Sequence, residues 1–215
     1  SGIAVSYGDL TRGEAFCRGN LREVSLQDGA FVPDVAPLAT DSIFDLASVT
    51  KLFTCIAVLQ LIERGKLRLD QTLGSVDKRF SQIKDVLIEV LLCFRAQLQT
   101  TARMDAAKTA DEAEALLFDI RLGPPATRKY YTDMGSMVLK YVVESASGLP
   151  YWEYLRQNIL LPLGMEHTYA DVPQELLPNT VCYNYERTVA AGRCCVDFDC
   201  PAGTIHDPKA RLLRT

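Results

Sequence analysis

From Val49 to Glu63 apolar residues fall on nearly every side of a helical wheel, which predicts a helix buried all round. Gly65 follows as its natural stop. A second helix is predicted after Tyr131, where Met134, Met137, Val138, Tyr141 and Val142 recur at helical spacing and Gly148 and Pro150 close the run. The stretch 105–117 is polar and alanine-rich instead. It reads as a surface helix in which Lys108 pairs with Asp105 or Glu112, its charges forming a solvated face. Three parts result. Residues 1–40 are read as strands and a loop bounded by Pro33 and Pro37, 41–170 as mainly helical, and 171–215 as loop-rich, with no repeat or low-complexity linker.

The buried-helix pattern makes one residue conspicuous. Lys51 stands at the start of the first helix, where an ammonium is costly unless it is paired or its pKa falls. Ser48 precedes it by three residues, so hydroxyl and amine share a helical face. Free backbone N–H groups and the helix dipole at that end favour negative charge. A weak nucleophile, an adjacent base and anion-stabilising amides together suit acyl transfer. A serine opening a helix is also an ordinary N-cap, so the four residues alone leave both readings open. Tyr131 lies on the loop entering the second helix, where its phenol can face a cleft.

The Ser48-Val49-Thr50-Lys51 and Tyr131-Thr132-Asp133 elements together resemble the serine β-lactamase and penicillin-binding-protein superfamily, in particular the branch of class C β-lactamases, DD-peptidases and related esterases. Further segments resemble that branch in order. They include strand-like Ile3–Tyr7 and Glu14–Gly19, the turn Gly65–Asp70, the leucine-rich Ile88–Arg95, the stretch Asn158–Thr168, and Gly203–Arg211 with its His206-Asp207 pair. The resemblance implies an α/β (α+β) fold: an antiparallel sheet flanked by helices, with a mostly helical subdomain carrying both motifs. Ser48 then matches the acylated nucleophile, Lys51 the general base, and Tyr131 the proton shuttle of the Tyr-x-Asn element. Tyr130 fits less well, because only Tyr131 has a short polar residue two places on.

That residue, Asp133, departs from the commoner asparagine. Asparagine can donate to a substrate carbonyl and ionised aspartate can only accept. Asp133 is therefore expected either to hold Lys51 as ammonium, to take up a proton itself, or to act chiefly as the helix N-cap. Asp133 and His206 are the candidate substrate-binding residues. The Lys-Thr-Gly or His-x-Gly triplet of relatives does not follow the tyrosine, and the loop after Ile88–Arg95 is altered, so the chain reads as a fragment incomplete at both ends.

Composition narrows the partners. At 48% hydrophobic residues and a net charge of −4 the chain is no disordered segment and has no basic footprint for nucleic acid. The longest apolar stretch, 52–62, is too short to span a bilayer. The seven cysteines are an odd number with no leader sequence, which favours reduced thiols and a cytoplasmic protein unless a signal was removed. Cys55 and Cys93 fall in apolar runs as small core hydrophobes. Cys194, Cys195 and Cys200 beside His206 invite a zinc reading, but their spacing matches no regular zinc pattern, and no metal or cofactor is expected. His167 is read as structural. The expected activity is that of a serine hydrolase with a small-molecule or peptide substrate, an ester or D-amino-acid peptide in preference to a β-lactam. The alternative is a catalytically silent relative that binds peptidoglycan-like or peptide ligands.

Overall fold

A computed structural model describes residues 2–9, 11–124, 129–181, 186–190, 193–197 and 201–215, the segments 186–190 and 193–197 by their backbone alone. The chain forms two compact units, Ser1–Leu46 with Asp171–Asp207, and Ala47–Ala170 with Pro208–Thr215.

The first unit opens on three antiparallel strands, β1 (Gly2–Gly8), β2 (Gly13–Gln27) and β3 (Ala30–Pro37). The first half of β2 pairs with β1, from Gly2 opposite Gly19 to Gly8 opposite Gly13. Its second half pairs with β3, and the register shifts between Asn20 and Val24 where it changes partner. The turn Asp28-Gly29 has positive φ at both residues, which suits a tight hairpin joining right-twisted strands. Pro33 and Pro37 lie inside β3 and do not bound a loop as expected. Among the described residues β3 pairs with a neighbour on one side only, and an edge strand tolerates residues that lack an N–H.

The second unit contains α1 (Thr50–Glu63), α2 (Leu73–Val76), α3 (Ile88–Leu92), β4 (Leu98–Gln99), α4 (Ala110–Phe118), β5 (Arg121–Leu122), α5 (Asp133–Ser147) and α6 (Tyr151–Leu155). Its core is the packing of α1 on α5. Ala57, Val58 and Leu61 of α1 are buried with Met137, Val138 and Val142 of α5. Gly65 and Gly148, both with positive φ, end these helices where the sequence placed their stops. The expectation that α1 is buried all round does not hold. Leu52, Ile56 and Leu59 are 63%, 42% and 52% exposed and fall on one face of the helix. Periodicity identifies apolar faces but not which of them is covered.

The polar helix begins later than the sequence suggested. Residues Met104–Ala106 form a separate 3₁₀ turn, and α4 starts behind Thr109, whose side chain accepts the Glu112 N–H. The Glu112 carboxylate reaches back to the Lys108 N–H rather than to its amine. Within 171–215, expected to be loop-rich, the backbone forms an antiparallel hairpin of β6 (Glu186–Ala190) and β7 (Arg193–Asp197), and then α7 (Pro208–Leu213). The strand pairs are antiparallel throughout, and the one parallel contact among the described residues is an isolated bridge of Ile43 with Thr180. The α+β class, with antiparallel strands and a mainly helical unit, is the one expected. No helix among the described residues is long and apolar enough to cross a membrane.

Candidate active site

The site lies within the helical unit and is built from the entry of α1 outward. Ser48 sits in a 3₁₀ turn, Ala47–Val49, that runs directly into α1. Ala47 adopts a φ of 45°, a left-handed conformation costing a residue with a Cβ of order 1–3 kcal/mol. Such strain immediately before a candidate nucleophile shows that the surroundings hold the turn in place. Lys51 follows in the first turn of α1, and its Nζ donates to Ser48 Oγ at 3.0 Å. The three-residue spacing thus delivers the contact expected of it.

Tyr131 arrives on the segment that leads into α5. The Tyr130 N–H donates to the Phe94 carbonyl at 2.7 Å, which fixes the segment. The Phe94 ring stacks on Tyr131 with centroids 5.2 Å apart and planes 18° apart. Phe94 itself has a φ of 54°, a second strained residue beside the site. Held in this way, the Tyr131 phenol donates to Ser48 Oγ at 2.8 Å. Two donors therefore converge on one hydroxyl oxygen, an arrangement that stabilises negative charge developing there.

Asp133 occupies the first turn of α5, where the helix dipole favours a carboxylate. It is not the N-cap. Thr132 takes that position in extended conformation, and its side chain accepts the Met134 N–H. This frees the Asp133 carboxylate for Lys51, whose Nζ lies 2.8 Å from Oδ1. Burial opposes the charge on Lys51, but the hydrogen bonds and charges of Asp133 and Tyr131 outweigh it and hold the amine above the ordinary lysine range. Burial likewise pushes Asp133 up, yet Lys51 and Lys209 together bring it below the usual carboxylate range. Of the expectations for Asp133, the ion pair is the one the geometry supports.

Lys209, on α7, is a residue the sequence reading missed. It is 7% exposed, and its Nζ lies 3.3 Å from Asp133 Oδ2 and 3.3 Å from Asp105 Oδ1. Asp105 is consequently part of a partly buried charge network, not of a solvated face. No local signal marked it, because Arg211 is a second cation in the same short segment, Pro208–Leu213. His206 belongs to the other unit, where its N–H donates to an Asp45 carboxylate oxygen at 3.1 Å. His167 makes a 3.2 Å contact from Nδ1 to the Tyr169 hydroxyl. No group of three or more His, Cys, Asp or Glu side chains among the described residues is placed to hold a metal ion. The side chains of Cys194, Cys195 and Cys200 lie outside the described residues, whereas Cys17, Cys55 and Cys93 are free thiols.

A family model described as Beta-lactamase matches residues 24–204. The chain is 29% identical over 150 residues to "Penicillin-binding protein 4" of Amycolatopsis lactamdurans, covering 65% of this chain and 39% of that protein. It is 28% identical over 147 residues to a "Putative D-alanyl-D-alanine carboxypeptidase" of Salmonella schwarzengrund, covering 60% of this chain and 34% of that protein. Among solved structures, a class C beta lactamase from Rhodobacter sphaeroides superposes with a TM-score of 0.68 at 20% identity, covering 86% of this chain and 50% of that one. The chain thus spans well under half the length of these curated relatives and about half of the solved structure.

Proposed function

The chain belongs to the beta-lactamase family, and on that premise we propose that it is a serine hydrolase acting through an acyl-enzyme at Ser48. The observation that carries this reading is the convergence of the Lys51 amine and the Tyr131 phenol on Ser48 Oγ, at 3.0 and 2.8 Å. In the proposed reaction Oγ attacks the substrate carbonyl carbon and its proton passes to the Lys51–Tyr131 pair. The pair returns the proton to the leaving oxygen or nitrogen as the carbonyl reforms and the acyl group stays on Ser48. Water then releases the acid by the reverse sequence. The Ser48 N–H, at the entry to α1, is the proposed donor to the oxyanion. Lys51 and Tyr131 both touch Ser48 Oγ, so the proposed accepting group is the pair.

The substrate we propose is a small ester or a D-amino-acid peptide in preference to a β-lactam. An ionised Asp133, with an ammonium on each oxygen, offers no hydrogen to a substrate acylamino carbonyl. An ester with a good leaving group depends less on that contact. The similarity to a protein named as a D-alanyl-D-alanine carboxypeptidase supports the peptide alternative.

The Lys51–Asp133 pair also favours a second reading, a silent relative whose lysine is locked as ammonium and which only binds peptide-like ligands. Incubation with a fluorophosphonate followed by intact-mass measurement separates the two. A stoichiometric adduct in the wild type that disappears in Ser48→Ala is expected of the hydrolase. An unmodified wild type across the pH range supports the binder and ends the hydrolase proposal.

A further inference from the structure

A buried lysine that is not next to the nucleophile needs a reason, because an ammonium withdrawn from water is expensive and is often replaceable by an apolar side chain without loss of stability. Lys209 is such a residue, with its Nζ placed at equal distances of 3.3 Å from two carboxylates. One of these, Asp133, is the same carboxylate that holds Lys51 through its other oxygen. The charges therefore alternate along one line: Asp105, Lys209, Asp133, Lys51, and then the Ser48 hydroxyl.

We infer that Lys209 is a positioning residue of this site, taking one oxygen of Asp133 so that the carboxylate's hold on Lys51 is limited and the pH at which Ser48 becomes reactive is set. The inference rests on the reading of Ser48 as nucleophile. Two effects act in the same direction. Lys209 competes for the Asp133 charge, and as a like charge it disfavours the ammonium form of Lys51. Asp105 regulates the first effect, since it draws Lys209 the other way and is itself bound by Arg103 at 3.1 Å.

Other charges near these elements are engaged elsewhere. On α4, Glu112 accepts from the Lys108 N–H and Glu114 from the Tyr141 hydroxyl. On α5, Lys140 pairs with Glu144, and on α6 Glu153 pairs with Arg156. Asp111, Asp207, Arg211 and Arg214 are the remaining charged groups on α4 and on or next to α7. The phenol of Tyr131 faces Lys51 from the segment before α5, 5.2 Å from amine to ring centre.

The test is the pH dependence of fluorophosphonate labelling for wild type, Lys209→Met, Lys209→Arg and Asp105→Asn. Lys209→Met should move the rising limb upward by about one pH unit, so that labelling on the acid side of the limb slows roughly tenfold. Lys209→Arg should restore the wild-type limb, and Asp105→Asn should move it downward. Opposite shifts from two partners of one ion pair are not produced by a loss of packing, which would lower both rates with the limb in place. If Lys209→Met does not fold, the Arg and Asn variants carry the test alone. Limbs that coincide in every folded variant overturn the inference while leaving the Ser48 reading intact.

A second readout does not depend on labelling. The ¹³C carboxyl titration of Asp133, assigned with Asp133→Asn, should shift upward by about one unit in Lys209→Met and downward in Asp105→Asn. An unmoved Asp133 midpoint overturns the inference even if the protein proves unreactive.

Discussion

Asp133→Asn is the substitution whose consequences can be worked out furthest. Opposite unit charges about 4 Å apart attract by about 4 kcal/mol at an effective dielectric of about 20. Asp133 is 32% exposed, so solvent screens part of this, and the desolvation of both groups offsets more. A net coupling of about 1–3 kcal/mol remains, equivalent to roughly one to two pH units on Lys51. Removing the carboxylate also leaves Lys209, still paired with Asp105, as a positive neighbour that Asp133 no longer offsets, which adds to the same effect. The labelling limb of Asp133→Asn should therefore fall by roughly one to two units, and labelling at neutral pH should rise about 10- to 100-fold. Stability should drop by about 1–3 kcal/mol in urea denaturation at pH 7. The sign of the pH dependence follows from the depressed carboxylate. Its contribution is fully present above the unfolded value, about 3.9, and is lost as pH falls through the lower folded value. Wild type and variant should accordingly converge in stability once the pH is below that folded value. A limb that stays put or moves to higher pH would refute the reasoning, as would a stability difference undiminished in acid.

Four further outcomes are expected. Beyond the rise from the lowered limb, which every substrate shares, Asp133→Asn should raise kcat/KM for nitrocefin about 5- to 150-fold more than for p-nitrophenyl butyrate, the worth of about 1–3 kcal/mol of hydrogen bonding; equal changes for both would remove the substrate argument. Lys51→Ala should abolish acylation while circular dichroism shows a folded chain, and wild-type labelling rates in it would sink the proposed proton path. Phe94→Ala removes the ring stacked on Tyr131, worth about 0.5–1.5 kcal/mol, and should slow labelling about 2- to 12-fold; an unchanged rate would show that Tyr131 is held by other contacts. Tyr151→Phe leaves the buried Thr54 hydroxyl without its 2.6 Å partner and should cost about 1–2 kcal/mol in chemical denaturation. Burial pushes the Tyr151 phenol up to about 12, so that part of wild-type stability should be present below about pH 10 and lost as pH rises toward 12, a loss absent from the variant.

The parts of this site that were legible in the sequence are those fixed by local geometry. Ser48 and Lys51 are one helical turn apart, so their contact follows from α1 alone, and the stops at Gly65 and Gly148 follow from backbone conformations that glycine supplies. Tyr131 was legible through its motif, and its packing on Phe94 was not, because that pairing joins distant segments. The choice between Thr132 and Asp133 as N-cap turned on one residue of register that either side chain could satisfy. Lys209 was invisible for a different reason. Nothing near it in sequence is acidic except Asp207, and its partners come from α5 and from the turn at Asp105. Pro33 and Pro37 looked like loop residues because a lone sequence does not show that β3 has a strand neighbour on one side only among the described residues.

The proposal that Ser48 carries the acyl group is open to direct trapping of that intermediate on a turned-over substrate. The chain would be mixed with p-nitrophenyl acetate, quenched in acid during the p-nitrophenolate burst, and mapped by peptide mass spectrometry. An acetyl group is expected on the peptide containing Ser48, placed on Ser48 by fragmentation, with neither burst nor acetyl group in Ser48→Ala. An acetyl group found only on another residue, or a burst of equal size in Ser48→Ala, would contradict the proposal.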